Sequence, residues 1–445
     1  VRVPKYKAVV DSLAAEIRSG RLPAGHRLAT HRALAADEGI AIVTASRVYA
    51  ELEAMGLVSS EQGRGTFVRD LATTTAEGTD QRAVAADAID LNFNSPSVPR
   101  QAGLLRQALR DLAGSGDLES LLRYQPHLGR AQDRAAVARH LGRRGLAVDA
   151  DRVLIVNGAQ QGLAVTAMAL FQPGDVVAVD AVTYPGFLVL ARTLGLELAP
   201  IPAAGTGPDL EALEQLCRQR PVRAVYAMPT LHNPLGWVYG KRQRERLAAI
   251  ARRYDVTIVE DASYAYLVED APPPLATLAP GRTVYVSGLS KSVAPGLRIG
   301  FVAAPPALIP VLERVVRATT WHTPAITAAI ATRWLTDGTV ARLELQKRED
   351  ARLRQSIAAE SLDGLPYVSH PSSYLIWLPL PQDARPDRIA TTLAAKGIAV
   401  STAAPFAATP TVPHALRLAL GSVPLPDLQT SLQTVREEID LDASR

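Results

Sequence analysis

Hydrophobic positions change texture along the chain. Over residues 5–69 they recur with helical spacing, and Tyr6, Val9, Val10, Leu13 and Ile17 share one face of a first predicted helix. Gly20 and Pro23-Ala24-Gly25 end that helix. Thr30 is placed to cap a second helix over 31–38, and Gly39 breaks it before a third over about 42–55, with Val48, Tyr49 and Leu52 facing inward. Leu57-Val58-Ser59 and Thr66-Phe67-Val68 flank Glu61-Gln62-Gly63-Arg64-Gly65 and predict a β-hairpin. Three helices followed by a hairpin predict a winged helix-turn-helix over residues 1–69. Residues 70–88 are rich in Ala and Thr, lack aromatic anchors, and predict a linker.

From Ile89 to the end, apolar runs alternate with amphipathic segments. Val153–Val156, Val176–Asp180, Ala224–Met228, Thr257–Asp261, Thr283–Ser287 and Ile299–Ala303 are the strand candidates, with helices over 160–170, 209–218 and 241–254 among the segments between them. Continuous apolar strands alternating with helices predict an α/β body whose mostly parallel sheet is covered on both faces. After about residue 335 a long helix, a strand Ser373–Leu380, a helix near 386–396 and a strand at 415–420 predict a smaller α+β lobe.

Composition narrows the class. The 445 residues allow two to four units, and 47 % hydrophobic with 21 % charged residues describes a globular chain. Cys217 is the one cysteine, so neither an intramolecular disulfide nor a Cys-rich zinc site is available, and no metal site is predicted. No apolar run approaches the length of a membrane span, and the first residues lack the apolar core of a signal peptide. The expectation is a cytoplasmic protein without a membrane partner. Net charge is +4, and residues 1–70 carry 10 basic and 8 acidic residues. DNA binding therefore has to rest on placed side chains rather than on bulk charge.

Candidate chemistry concentrates in the body. Lys291 follows a strand within Ser287-Gly288-Leu289-Ser290-Lys291-Ser292, where small neighbours let a flat ring approach, and Arg298 lies seven residues on, positioned to clamp a phosphate. The strand Val153–Val156 runs into Asn157-Gly158-Ala159-Gln160, a helix start whose free N–H groups favour an anion. Asp261 closes another strand, where a carboxylate can meet a pyridinium nitrogen. A lysine for a Schiff base, a carboxylate for a ring nitrogen and a phosphate cradle are the three needs of pyridoxal 5'-phosphate (PLP).

Residues 89–445 resemble the fold type I aminotransferases. That resemblance implies that Lys291 carries PLP as a Schiff base. Ala159, Gln160, Ser290 and Arg298 then form the phosphate cup, and Tyr184 stacks on the ring. Asn233 and Tyr264 hydrogen-bond the ring hydroxyl, Asp261 meets the ring nitrogen, and Arg417 holds an amino-acid carboxylate. Tyr124 resembles a tyrosine supplied to the partner subunit's phosphate. The sequence departs at Gly288, where the family often has a phosphate-binding serine, and at Leu235, where it often has threonine.

Residues 5–69 resemble the winged helix-turn-helix of GntR-family regulators, on Gly20-Arg21-Leu22-Pro23-Ala24-Gly25-His26-Arg27-Leu28, Arg32-Ala33-Leu34-Ala35, Tyr49 with Leu52, and the wing Gly63–Val68. The expected DNA contacts are Arg32, Thr44, Ser46, Arg47, Arg64 and Gly65. Here Ala29-Thr30-His31-Arg32 replaces the usual Pro-Ser-Glu-Arg, and Ala41-Ile42 replaces the usual Ser-Arg. A GntR-like reader joined to an aminotransferase-like body resembles MocR-type transcriptional regulators. The resemblance implies a head-to-tail homodimer with each winged helix over the partner's body. It also implies a double-stranded DNA operator and a site that senses PLP or an amino-acid-like amine. The alternative is a working amino-acid aminotransferase with an accessory DNA-binding domain.

Overall fold

The computed structural model describes residues 5–18, 21–23, 25–55, 57–61, 65–68, 88–114 and 118–444. The winged helix consists of α1 (Lys5–Arg18), α2 (His31–Asp37), α3 (Ile42–Ala54) and the antiparallel pair β1 (Val58–Glu61) and β2 (Gly65–Val68). Thr30 caps α2 as its sequence implied: its hydroxyl accepts from the Ala33 amide at 3.2 Å. Val9, Val10, Ile17, Leu34, Val48, Tyr49 and Leu52 close one small core. The linker expected over 70–88 lies outside the described residues except for Ala88.

The body follows in chain order: β3 (Ile89–Asp90), α4 (Gln101–Ala113), α5 (Leu118–Leu122), α6 (Ala131–Arg143), β4 (Val153–Val156), α7 (Ala159–Leu170), β5 (Val176–Asp180) and α8 (Pro185–Thr193). Next come β6 (Glu197–Ile201), α9 (Leu210–Gln219), β7 (Val222–Ala227), α10 (Lys241–Arg253), β8 (Thr257–Asp261), α11 (Leu275–Leu278), β9 (Thr283–Gly288) and β10 (Gly300–Ala303). Then α12 (Ile309–Thr319), α13 (Ala325–Thr336) and α14 (Thr339–Ser361) lead into β11 (Leu375–Pro379), α15 (Pro386–Ala395), β12 (Ile398–Ala399), β13 (Ser401–Thr402), β14 (Ala415–Ala419) and α16 (Leu425–Ala443).

Seven strands form the large sheet in the order β4-β10-β9-β8-β7-β5-β6. Only β10 runs against its neighbours. Alternate residues feed the two faces. Leu154, Val177, Val259 and Val286 pack with α7, α8 and α12, while Ile155, Tyr285 and Phe301 pack with α6 and α13. Both faces are covered, which is why the strands read as unbroken apolar runs.

β6 was not among the strand candidates. Its Glu-Leu-Ala-Pro-Ile carries a proline and a charge that argue against a central strand, and it lies at the sheet edge, where both are tolerated. The small lobe also draws on more chain than its own stretch. β3 pairs in parallel with β12, so residues near Ile89 belong to it.

The winged helix rests on the small lobe of its own chain through ion pairs. Arg385, 3 % exposed in its side chain, donates to Asp11 at 2.6 Å and lies 3.6 Å from Glu51. Arg388 pairs with Glu51 at 2.8 Å and with Asp442, and Lys7 pairs with Asp383. Glu51 belongs to α3, so the C-terminal half of that helix is tied to the body. Replacing Arg385 with Met strips partners from Asp11 and Glu51 and should cost about 2 kcal/mol at this joint. Hydrogen exchange should speed up in α1 and α3 while α7 stays protected. Unchanged exchange in α1 would show that the pairs do not hold the two units together.

Candidate functional site

The site lies where β4, β9 and β10 end together. Because β10 is antiparallel, its first residue, Gly300, is level with Val156 at the end of β4 and Gly288 at the end of β9. The backbones approach very closely there. A Cβ on Gly300 would stand 2.5 Å from the Gly158 carbonyl carbon, and one on Gly158 would stand 2.5 Å from Arg298 Nη2. Gly158 also has φ of 89°, which favours glycine. It begins α7, whose first residue is Ala159. The free amides of α7, the Arg298 guanidinium and the Ser290 hydroxyl (3.4 Å from Arg298 Nη1) thus converge on one anion-sized space. Arg298 Nη2 also donates to Asn157 O at 3.0 Å, which fixes its direction.

Gly288 now has a packing explanation. A Cβ there would meet the Ile299 carbonyl at 2.9 Å, so the serine often found in this position would push into β10. The side chain of Gln160, expected in the phosphate cup, donates to Gly186 O at 2.8 Å and pins the turn that carries Tyr184, while its backbone N–H lies in the first turn of α7. A Cβ on Gly186 would stand 2.5 Å from the Tyr184 ring, so this glycine gives the ring its place.

Lys291 donates to the Asn94 carbonyl at 2.6 Å, and its ammonium is 6.0 Å from the Tyr264 ring centre. Its own carbonyl accepts from Tyr266 at 2.9 Å and from the buried Lys347 ammonium at 3.0 Å. Asp261 is buried at the end of β8. One oxygen accepts from the Ser263 amide (3.0 Å) and hydroxyl (2.6 Å), and the other accepts from Tyr226 (2.9 Å). Burial pushes the Asp261 carboxyl above its ordinary range despite those donors. Burial, then Asp261 and Tyr264, likewise hold the Tyr184 phenol well above its usual value, and Arg298 opposes them.

Arg417 is 4 % exposed, lies 4.9 Å over the Phe406 ring, and donates to the Ser401 hydroxyl at 3.2 Å. Among the described residues no carboxylate pairs with it, and its Nε has no hydrogen-bond partner. Burial pulls the guanidinium down to about 10, partly offset by the Tyr264 phenol and the Asp90 carboxylate.

The structure therefore brings Lys291, Asp261, Tyr184, Tyr264, Ser290, Arg298, Ala159 and Arg417 to one region. Asn233 lies buried after β7 with its side-chain oxygen unpartnered. Tyr124 stays apart: it is 85 % exposed, beside Trp321 and His322.

Sequence reasoning missed Asn94, Tyr226, Tyr266 and Lys347. Tyr226 reads as one more apolar residue of β7. Asn94 is 197 positions from Lys291, and no spacing rule joins them.

Of the expected DNA contacts, Arg32 is exposed on α2 and Thr44 is half-buried on α3. Ser46 is engaged internally, its hydroxyl donating to Ile42 O at 3.1 Å and standing 3.0 Å from His31 Nδ1. Arg47 lies 4.4 Å over the Tyr6 ring. Gly65 makes room for Arg27, whose Nε would be 2.8 Å from a Cβ there. Arg64 lies outside the described residues.

The sheet order, the close-packed glycines around Arg298 at the start of α7 and the lysine that follows β9 define an aminotransferase fold. A model of the aminotransferase class I and II family matches residues 86–433, and the chain belongs to that family. A model of the bacterial regulatory proteins of the gntR family matches residues 5–68, so the whole is a GntR/MocR-type helix-turn-helix regulator fused to an aminotransferase-like body.

Bacillus subtilis YdeF, an uncharacterized HTH-type transcriptional regulator, is 32 % identical over 68 % of this chain, and the match spans 65 % of YdeF. The probable rhizopine catabolism regulatory protein MocR of Rhizobium meliloti is 29 % identical over 73 % of this chain and 70 % of its own. Among solved structures, kynurenine aminotransferase of Pyrococcus horikoshii superposes with a TM-score of 0.74 at 25 % identity, over 80 % of this chain and 92 % of that one. Among the described residues no helix is long and apolar enough to cross a membrane.

Two outcomes follow from the buried cations. Holding Arg417 charged with no carboxylate partner, at about 10 and so well below its ordinary value, costs on the order of 3 kcal/mol. Arg417→Met should therefore raise the thermal midpoint of the ligand-free protein; a lowered midpoint would mean that Arg417 is satisfied after all. Burial first, and the Lys291 ammonium second, pulls Lys347 down from 10.5 to about 7. Between those values the unfolded chain holds the extra proton, so this lysine makes stability rise with pH across that window. Lys347→Met should lose that rise in chemical denaturation, and an identical pH profile would rule it out.

Proposed function

We propose that this protein is a PLP-dependent transcriptional regulator whose aminotransferase-like body senses PLP and an amine bearing a carboxylate, and whose winged helix binds double-stranded DNA. The observation that supports it best is the buried, carboxylate-free Arg417 within the site of a chain that also carries a winged helix. The residues present fit the cofactor. Asn94 Oδ1, Asn233 Oδ1, Gln160 Oε1 and Arg417 Nε are buried without partners, and the glycine-lined space beside Arg298 suits a phosphate.

In this reading Lys291 would hold PLP, which when bound would supply an electrophilic carbon open to amines. Asp261, raised by burial, holds a proton at the ring nitrogen, and Tyr226 and Ser263 fix its direction. Tyr264 and Asn233 orient the ring hydroxyl. Tyr184 covers the ring face, and Ala159, Ser290 and Arg298 hold the phosphate. Arg417 would grip the effector carboxylate from the small lobe.

Tyr124, exposed beside Trp321, serves the partner's phosphate in a homodimer. Leu105, Leu109 and Leu122, also exposed, are covered there. The intact set of Asp261, Tyr264 and Arg417 keeps a second reading open, an amino-acid aminotransferase with an accessory DNA-binding domain.

The full-length protein incubated with PLP should absorb visible light, and borohydride should fix the cofactor to the peptide containing Lys291; Lys291→Ala should show no covalent adduct. Operator affinity should fall steeply with salt, and Arg32→Ala should flatten that dependence by about one unit of slope. A saturating amino acid should change operator affinity by about 5–150-fold, and operator should change amino-acid affinity by the same factor. Sustained conversion of amino acids with keto acids, with no effect of amines on DNA binding, would favour the second reading.

A further inference from the structure

The first turn of α3 has an unusual surface. Val43 is 81 % exposed and Ile42 is 52 % exposed, and these are the only exposed large hydrophobic side chains among the described residues of the winged helix. Neither contributes to the core formed by Val48, Tyr49 and Leu52. Two β-branched side chains side by side in water gain nothing for the fold, so their place calls for an occupant.

Position within the domain identifies that occupant. In a helix-turn-helix the first residues of the recognition helix meet base edges in the major groove. Two of the three polar candidates of that helix already have partners within the domain, and the third, Thr44, is only half-exposed. The Ser46 hydroxyl is bound to Ile42 O and lies beside His31, while Arg47 stacks on Tyr6. Ala41, Ile42 and Val43 have no side-chain hydrogen-bonding group. In the major groove, an apolar side chain finds one complementary feature, the thymine C5-methyl.

The rest of the helix favours this end as the one that approaches DNA. The first turn of α3 carries no acidic residue, so its positive dipole end faces outward unopposed by a carboxylate of its own. The far end is held by the body through Glu51 and Arg388 at 2.8 Å. Val43 stands about 12 Å along the helix from Glu51, clear of that joint.

We propose that Val43, with Ile42 beside it, reads thymine methyl groups, so that specific binding sites of this protein carry thymine under the start of α3. The proposal rests on the DNA-binding reading and deepens it, replacing hydrogen-bonded readout at this position by apolar readout.

The test uses the full-length protein with PLP to enrich duplexes from a random-sequence library. Failure to enrich any sequence would overturn the DNA-binding reading and this proposal with it. An enriched duplex is then resynthesised with one deoxyuridine in place of each thymidine in turn, which removes only the methyl group. At one or two positions per half-site the change should weaken binding about fourfold, or ~0.8 kcal/mol, the value of one buried methyl group.

Val43→Ala should abolish that penalty at those positions and leave any penalties elsewhere intact. Val43→Thr, which keeps the shape but loses one methyl, should fall between. A flat deoxyuridine scan, an enriched duplex without thymine in the contacted half-site, or penalties equal in the wild type and Val43→Ala would overturn the proposal while leaving DNA binding established.

Discussion

One antiparallel strand in an otherwise parallel sheet determines the geometry of the body. Were β10 parallel, Gly300 and the Arg298 that precedes it would lie at the opposite edge from the start of α7. Reversed, β10 delivers Arg298 to the same edge as Gly158 and Lys291, so anion donors and a nucleophilic amine meet there. The approach leaves no room for side chains on Gly158, Gly288 or Gly300. The sheet's covering layers of Val, Ile, Leu and Phe hold this contact in register, because a one-residue slip of β10 would turn Phe301 and Val302 to the wrong faces.

Much of this was legible in the sequence, because local chemistry and position agree there. Buried strands announce themselves as apolar runs, and the residues following them carry the chemistry: Gly158 and Ala159 after β4, Lys291 after β9. Asp261 was legible for the same reason, being a carboxylate at the end of an apolar run. Asn94, Tyr266 and Lys347 were not legible, since each acts through a backbone carbonyl or a distant side chain that only the folded chain brings near. Tyr226 was hidden by its own apolarity: its ring stacks on Phe187, with centroids 3.9 Å apart, while only its hydroxyl reaches Asp261. The edge strand β6 escaped because its proline argues correctly against a central strand and says little about an edge.

The site keeps several polar groups buried and unsatisfied, Asn94 Oδ1, Asn233 Oδ1 and Arg417 Nε among them, which is costly. An unpaired buried polar atom costs about 1–3 kcal/mol, and a cation more. The buried Lys347 differs in its hydrogen bonding: its amine donates to the Lys291 and Val293 carbonyls and fixes the loop. Arg417 is given a single hydroxyl partner and left poised. A ligand that supplies a carboxylate there recovers a cost already present in the fold, so part of its affinity is prepaid by the protein.

Under the proposed function, that difference would let a ligand in the body act on the winged helix. Arg417 lies on β14 of the small lobe, and the same lobe carries Arg385 and Arg388, which hold α1 and α3. A ligand drawing β14 toward the large sheet would shift this lobe, and the ion-paired end of α3 would have to follow or let go. In either case the free end of α3, with Val43, changes its presentation. If ligand and DNA binding are coupled as proposed, the charged contacts on the lobe offer a route that does not need the linker. Such coupling has a sign only if the ligand prefers one lobe arrangement, and Arg417, with no carboxylate partner, would provide that preference: the arrangement that brings a carboxylate to it is the one a ligand would stabilise.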